Sequence, residues 1–259
     1  MHFDPQHHYG PRVHLSTSGT LLTYLADLCS PDTKQPRVND LVERIYAGLL
    51  EAALDELFPR VKVERPTRMA TAHPREGIYR GEILDPKIRA VTVNLARAGT
   101  LPSAVCYQTL NTLLNPDLVR QDHISIARQT GADHQVIGSA VTGHKIGGKI
   151  DGAVLVIPDP MAATGSTIVE TLELYRAYGR PLRTIALHCI VTPEYLRKVT
   201  HSFPELEIYA VRLDRGLSSP DVLSSPLGSR WEEEKGLNAQ QYIVPGGGGL
   251  GEVLNNSYV

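Results

Sequence analysis

The chain has 259 residues, of which 42% are hydrophobic and 21% are charged, and this ordinary globular composition excludes a fibrous or wholly disordered protein. Its 26 basic and 28 acidic residues give a net charge of −2 without a basic stripe, which argues against a nucleic-acid partner. No apolar run approaches the roughly 18 residues of a membrane-spanning helix, and the three cysteines form no CxxC pair, so we expect a cytoplasmic protein without disulfides, structural zinc or a membrane contact.

Residues 1–40 are rich in His, Pro, Ser and Thr and predict an extended N-terminal arm with one short helix near residues 21–28. The arm begins without the basic and apolar regions of a secretory signal. Its histidines could hold a metal, but a solvated terminal segment is the more frequent explanation of such a cluster. From position 41, apolar residues recur at helical spacing and stop before Pro59, which predicts a long amphipathic helix.

The chain then alternates strand-like and helical segments. The predicted strands are residues 90–95, 123–128, 153–157, 184–191 and 208–213, and the predicted helices are residues 102–114, 166–178 and 193–203. This alternation requires crossover connections, so we predict an α/β fold with a mainly parallel central sheet flanked by helices. In such a sheet, ligands bind beyond the carboxyl ends of the strands.

Two irregular stretches interrupt the alternation. The polar, glycine-rich stretch at about 129–151 predicts a projecting hairpin, with a variable surface loop as the alternative. Residues 218–241 are dense in Ser, Pro and charge, and they precede a strand-like segment at 242–244 and a run of four glycines. We therefore expect a single domain at residues 41–259 after the arm, with an irregular C-terminal hood at about 214–259.

The strongest local signal is AVLVIPDPMAATGST at residues 153–167, where an apolar strand ends at Asp159 and small residues lead into a helix. Backbone amides and hydroxyls at a helix N-terminus favour an anion, and Gly165 allows close approach of the backbone. The Asp159 carboxylate suits sugar hydroxyls rather than phosphate. A sugar phosphate fits both halves, and the alternative is a plain strand–turn–helix unit capped by Thr164 or Ser166.

Gly246, Gly248 and Gly251 match the spacing G-x-G-x-x-G of dinucleotide-binding proteins. Only residues 252–259 follow, which is too short for the helix and strand that such a site needs. The glycine run instead predicts bare backbone that offers amides and carbonyls to a small planar ligand.

Three motifs lie near the predicted strand ends: NLARAGTLP at 94–102, DPMAATGST at 159–167, and IYAVRLDRGL at 208–217 followed by YIVPG at 242–246. In sequence and order they resemble the uracil phosphoribosyltransferase family. There the corresponding segments are I-L-R-A-G-L-G, the phosphoribosyl-pyrophosphate loop D-P-M-L-A-T-G-G-S, and the base-enclosing Asp-x-Gly-Leu and Tyr-Ile-x-Pro-Gly. The resemblance spans roughly residues 90–251.

The resemblance implies a type I phosphoribosyltransferase fold and transfer from phosphoribosyl pyrophosphate to uracil, giving UMP and pyrophosphate in pyrimidine salvage. It implies catalytic roles for Asp159, which would stabilise positive charge at the anomeric carbon, and for Arg97 and Arg128, which would bind pyrophosphate. Either arginine could otherwise be a solvated charge or a surface ion pair. The implied phosphoribosyl-pyrophosphate contacts are Arg97, Asp159, Ala162, Ala163, Thr164, Gly165, Ser166 and Thr167. The implied base contacts, mostly through backbone, are Tyr242, Ile243, Val244, Pro245, Gly246, Gly247 and Gly248.

The family also implies Mg²⁺ carried on the pyrophosphate and a homodimer or larger assembly. The chain departs from the family where P-G-x-G-D-x-G-D becomes PGGGGLGE, because Gly249 replaces the first aspartate and Glu252 the second. The carboxylates that follow the family's hairpin arginine are absent after Arg128. Two alternatives therefore stay open: a phosphoribosyltransferase for another base, and a ligand-binding or regulatory protein of this fold with weak catalysis.

Overall fold

The computed structural model describes residues 3–130 and 136–257, with side chains described outside residues 127–140. Its strands are β1 (Val13–Leu15), β2 (Arg60–Pro66), β3 (Ile78–Leu84), β4 (Ala90–Ala96), β5 (Val119–Thr130), β6 (Val136–Lys145), β7 (Val154–Pro158), β8 (Met161–Ala162), β9 (Arg183–Val191) and β10 (Glu207–Leu213). Its helices are α1 (Gly19–Leu28), α2 (Arg37–Leu57), α3 (Thr100–Leu113), α4 (Ser166–Tyr175), α5 (Pro193–Ser202), α6 (Pro220–Leu223) and α7 (Leu250–Asn255).

The central sheet has the strand order β1-β10-β9-β7-β4-β5-β6, with β8 beside the end of β9. Every pair in it is parallel except β5–β6, which is antiparallel. The predicted α/β fold with a mainly parallel sheet is therefore confirmed. The antiparallel β5–β6 pair extends beyond the parallel part of the sheet, in the region where the sequence predicts a hairpin.

Helices cover both faces of this sheet. Helices α1, α2 and α3 pack on one face, where their buried side chains form one core with Val154 and Val156 of β7. Helices α4 and α5 pack on the other face, where their buried side chains form one core with Leu155 and Ile157 of the same strand. Because successive strand residues point to opposite faces and both are buried, the strands read as continuously apolar runs. Burying each large aliphatic side chain contributes about 1.5–3 kcal/mol to folding.

Helix α2 confirms the predicted amphipathic helix. Its apolar positions Leu41, Ile45 and Leu49 are fully buried. The helix starts one turn earlier than predicted, at Arg37, and its first turn already buries Val38. It ends at Leu57, and the next residue, Phe58, has the extended backbone that is favoured before a proline.

The N-terminal segment is more integrated than an extended arm. Strand β1 pairs with β10, with Val13 opposite Ile208, and Tyr9 is buried. The strands β2 and β3 form a separate two-stranded antiparallel sheet that we did not predict, although the residues RVKVE of β2 alternate between polar and apolar. Residues 242–244 are not a strand, and their backbone bonds to neighbouring irregular segments instead. In the described ranges, no helix is long and apolar enough to cross a membrane.

Candidate active site

Several of the predicted site segments meet at the carboxyl ends of the parallel strands. Gly99, in the loop after β4, is so close to the end of β7 that a Cβ atom there would lie 2.9 Å from the carbonyl oxygen of Pro158. We call residues 245–251 the glycine segment. A Cβ on Gly251 of this segment would lie 3.4 Å from the Cβ of Ala98 in the β4 loop. The loops after β4 and β7 and the glycine segment thus occupy one edge of the sheet.

Asp159 follows β7 and is half-buried. Its amide donates to the Leu187 carbonyl (3.0 Å), and its carbonyl accepts from Nδ1 of His188 (2.6 Å). Because a carbonyl oxygen only accepts, the proton of this imidazole is on Nδ1, and Nε2 accepts from the hydroxyl of Tyr195 (2.7 Å). Burial lowers the pKa of His188 to about 4, so the ring is neutral at pH 7. His188 therefore fixes the main chain of Asp159.

His188 is a residue that our sequence argument missed. The only signal was one histidine inside the largely apolar run TIALHCIV. In the structure it is completely buried and bonded at both ring nitrogens. Its contribution is to positioning, because its Nδ1 donates to the backbone carbonyl of Asp159.

The turn at residues 163–167 is held in place from β9 and α5. The hydroxyl of Thr192 donates to the Ala163 carbonyl (2.6 Å), and the amide of Thr192 donates to the Ala162 carbonyl (3.2 Å). Gly165 has φ +82° and stands immediately before the first residue of α4. A Cβ there would lie 2.8 Å from Cγ2 of Val199, so only glycine fits this close approach to α5. The amides at the start of α4 consequently lie in a fixed turn.

Thr164 borders a cleft of about 460 Å³. The opposite wall comes from the irregular segment 218–241 and includes Lys235, Asn238 and Gln241. Glu194, in the first turn of α5, binds this wall by accepting from the amide of Gly236 (2.9 Å). The irregular segment is thus one side of the cleft beside the 163–167 turn.

A buried ion pair organises the same irregular segment. Glu234 is 1% exposed and accepts from the guanidinium of Arg215 and from the amide of Gly228 (2.9 Å). Tyr9 of the N-terminal segment donates its hydroxyl to the same carboxylate. Burial, together with this bond to Glu234, raises the pKa of Tyr9 far above its usual value, so Tyr9 stays a donor. The cleft wall is therefore anchored to both the β10 end and the N-terminus.

The predicted base-binding backbone is partly engaged by the protein itself. The amide of Tyr242 donates to Oδ1 of Asn238 (2.9 Å). Val244 donates to the Gly236 carbonyl (2.8 Å) and accepts from the amide of Gly216 (2.9 Å). Ile243 is 7% exposed and packs into the core, so its side chain faces away from solvent.

Asp214, which follows β10, shapes the glycine segment. It is 2% exposed, and its Oδ2 accepts from the amide of Gly246 (2.7 Å) and from Nη2 of Arg212 (2.8 Å). Arg212 also donates to the Gly246 carbonyl (3.2 Å). Among the described residues, the amides of Gly247 and Gly248 have no hydrogen-bond acceptor. These two glycines line a cleft of about 600 Å³ together with the connection between α1 and α2.

The two predicted arginines differ in their surroundings. Arg97 is exposed in the loop after β4, and its Nη1 donates to Oγ (2.8 Å) and to the carbonyl (3.2 Å) of Ser257. The backbone of Arg128 pairs with Ser139 in β5–β6, and its side chain lies outside the described residues. The structure therefore brings Arg97 to the same edge as Asp159, and the predicted role of Arg128 stays a prediction.

The chain is similar to known proteins in sequence and in fold. Residues 16–229 match the family model described as uracil phosphoribosyltransferase. A relative with that name from Thermococcus sibiricus is 37% identical over 91 residues, which are 35% of this chain and 39% of the relative. One from Dictyoglomus thermophilum is 26% identical over 190 residues, 73% of this chain and 76% of the relative.

Coverage of some relatives is limited, since the matched part spans 39% of the length of the proteins from Thermococcus sibiricus and Pyrococcus furiosus. The solved structure of the AQ2163 protein from Aquifex aeolicus is 21% identical, with a TM-score of 0.72 over 95% of this chain and 99% of that one. That likeness shows a shared fold. Because the family model matches most of the chain, the protein belongs to the uracil phosphoribosyltransferase family.

Proposed function

We propose that the protein transfers the ribose 5-phosphate group of phosphoribosyl pyrophosphate to uracil, giving UMP and pyrophosphate. One observation carries this proposal. A half-buried carboxylate, Asp159, stands at a strand end immediately before a fixed turn at the N-terminus of α4, and Arg97 and the glycine segment share that edge. In this arrangement the Asp159 carboxylate suits the ribose hydroxyls, the turn before α4 suits the 5′-phosphate, and the Arg97 guanidinium suits the pyrophosphate.

The turn supplies the 5′-phosphate subsite. The amides of Ser166 and Thr167 begin α4, and Thr164 borders the adjacent cleft. The Ser166 amide donates to the Thr164 hydroxyl oxygen at 3.4 Å, a long bond that a phosphate oxygen would replace. The first turn of α4 contains no acidic residue, so the positive end of the helix dipole is available to an anion. Gly165 holds this turn against α5 and keeps the amides in place.

Asp159 acts at the reacting carbon. As the base nitrogen approaches and the bond to pyrophosphate breaks, positive charge develops on the anomeric carbon and ring oxygen. A fixed carboxylate beside that position stabilises the transition state more than the ground state. The bond from His188 to the Asp159 carbonyl holds the carboxylate's backbone still during this change.

Arg97 is proposed to bind the pyrophosphate, exchanging its hydrogen bonds to Ser257 for phosphate oxygens. Arg128 is proposed to close on the same group. In residues 3–130 and 136–257, no three His, Cys, Asp or Glu side chains are grouped to hold a metal. Asp159 is a single carboxylate, and this donor set suits Mg²⁺ that keeps mostly substrate and water ligands. Mg²⁺, when bound, neutralises charge on the leaving pyrophosphate.

The base site is proposed to use backbone of residues 242–248. Uracil presents two carbonyl acceptors on either side of an N–H, and the amides of Gly247 and Gly248 are donors that the described fold leaves for such a ligand. The substitution of Gly249 and Glu252 for two family aspartates favours the second candidate, a phosphoribosyltransferase for another base.

Pyrophosphate release tests the proposal. The enzyme is incubated with phosphoribosyl pyrophosphate, Mg²⁺ and one base from a panel that contains uracil, cytosine, adenine and hypoxanthine. Release that requires uracil supports the proposal, whereas faster release with another base supports the second candidate. Calorimetric binding of phosphoribosyl pyrophosphate without release for any base would instead indicate a ligand-binding protein.

A further inference from the structure

A lysine from α5 contacts the proposed 5′-phosphate turn. Nζ of Lys198 donates to Oγ of Ser166 at 2.7 Å. Ser166 is the first residue of α4 and stands where the family's loop has glycine. Its oxygen accepts from the ammonium group, so its own O–H proton is available to a further acceptor. The pair therefore adds a cation and a donor to the turn.

The position of Lys198 is set by packing. Its neighbour Val199 is fully buried and lies against Gly165, and Tyr195, one turn earlier in α5, is also fully buried beside that glycine. These contacts fix α5 beside the turn. Lys198 is exposed, so the ammonium group lies at the surface next to Ser166.

The ammonium group of Lys198 lies at the end of α4 that favours anions. A cation near a helix N-terminus opposes the helix dipole, which favours negative groups there. The first turn of α4 has no acidic residue, and the polar contact that Lys198 makes within the described ranges is the one to Ser166. Glu194 precedes Lys198 by one helical turn, but its carboxylate accepts from the amides of Gly236 (2.9 Å) and Leu237 (3.2 Å). A bound anion would complete this arrangement.

We propose that Lys198, together with Ser166, binds the 5′-phosphate of the ribose 5-phosphate group, as a site residue additional to the turn itself. This inference rests on the proposed function. The ammonium group pairs with a phosphate oxygen while the Ser166 hydroxyl donates to the same phosphate. The pair selects phosphorylated ribose and has no contact with the pyrophosphate at Arg97.

Binding measurements with two partial ligands test this assignment. Ribose 5-phosphate carries only the 5′-phosphate, and pyrophosphate carries only the leaving group. Calorimetry is done with each of these two ligands, and with phosphoribosyl pyrophosphate as the third, on the wild type, Lys198→Met, Lys198→Arg and Lys87→Met. Lys87 is an exposed lysine that precedes β4, at the opposite edge of the sheet, so its variant controls for the loss of one positive charge.

We expect Lys198→Met to lower the affinity for ribose 5-phosphate about tenfold, which is the loss typical of a charge-assisted hydrogen bond. The affinity for pyrophosphate should change less than about twofold. Lys198→Arg should recover most of the affinity, and Lys87→Met should match the wild type. Unchanged ribose 5-phosphate binding in Lys198→Met, or equal losses for both ligands, would overturn the inference while phosphoribosyl pyrophosphate binding still supports the proposed function. A wild type that binds none of the three ligands would overturn both.

Discussion

Replacing Gly165 with alanine tests how firmly α5 constrains the phosphate turn. The backbone of Gly165 has φ +82°, and a left-handed conformation costs an L-residue about 1–2 kcal/mol. The added methyl would lie 2.8 Å from Cγ2 of Val199, a fully buried side chain, and such overpacking costs about 1–3 kcal/mol. Alanine also lowers the entropy of the unfolded chain, which raises the unfolding free energy by about 0.4–1 kcal/mol. We expect Gly165→Ala to lose about 2–4 kcal/mol of unfolding free energy.

Gly152 provides a matched control. Its φ is also positive, at +69°, but a Cβ there would have no atom within 4 Å. Gly152→Ala therefore carries the backbone cost without the clash, and we expect it to lose about 1 kcal/mol or less. Urea unfolding at pH 7 measures both free energies, and calorimetry measures phosphoribosyl pyrophosphate affinity. Gly165→Ala should also lose ligand affinity, whereas Gly152→Ala should keep it.

Comparing Gly165→Ala with Gly152→Ala separates the cost of the steric clash with α5 from the cost of the left-handed backbone. If the two variants lose the same unfolding free energy, the contact between Gly165 and α5 does not constrain the turn, and the argument is wrong. A second check adds Val199→Ala to Gly165→Ala, because removing Cγ2 creates room for the new methyl. The double variant should then be more stable than the sum of the single losses indicates, with a coupling of about 1–2 kcal/mol. Strict additivity would contradict the clash.

Three other predictions follow from the site. Asp159→Asn should keep the fold and lower kcat far more than the affinity for phosphoribosyl pyrophosphate, and equal losses in both would assign Asp159 a merely structural role. Nuclear magnetic resonance of the His188 imidazole should show the neutral Nδ1–H form down to about pH 5. The folded pKa of His188 is about 4, below the ordinary 6.5, so the unfolded chain binds the proton more readily between these two pH values. The unfolding free energy should therefore fall by about 3 kcal/mol as the pH falls from 6.5 toward 4. Titration of His188 near pH 6.5 would contradict its burial. The double change Gly249→Asp, Glu252→Asp restores both family aspartates. It also shortens the Glu252 side chain, which a Cβ on Gly249 would otherwise meet, so we expect uracil-dependent pyrophosphate release to rise. No rise, together with robust release for another base, would favour the second candidate.

The sequence by itself determined the layered fold and the location of the candidate site. Alternating apolar strands and amphipathic helices leave a parallel sheet as the arrangement that buries both faces of every strand. The acidic strand end at Asp159 and the small-residue turn after it are local features, so the sequence pattern predicts them directly. The resemblance of three motifs to one family then predicted the chemistry at that edge.

Tertiary structure decided which groups are available at this edge and which are already used. Local periodicity carries no information on contacts between distant segments, such as His188 behind Asp159 or Lys198 beside Ser166. The same is true of Asp214, which engages the amide of Gly246 across a long separation in the chain. A segment rich in glycine shows that backbone can be exposed, but only the packed fold determines which amides lack a partner, because each partner comes from a separate element.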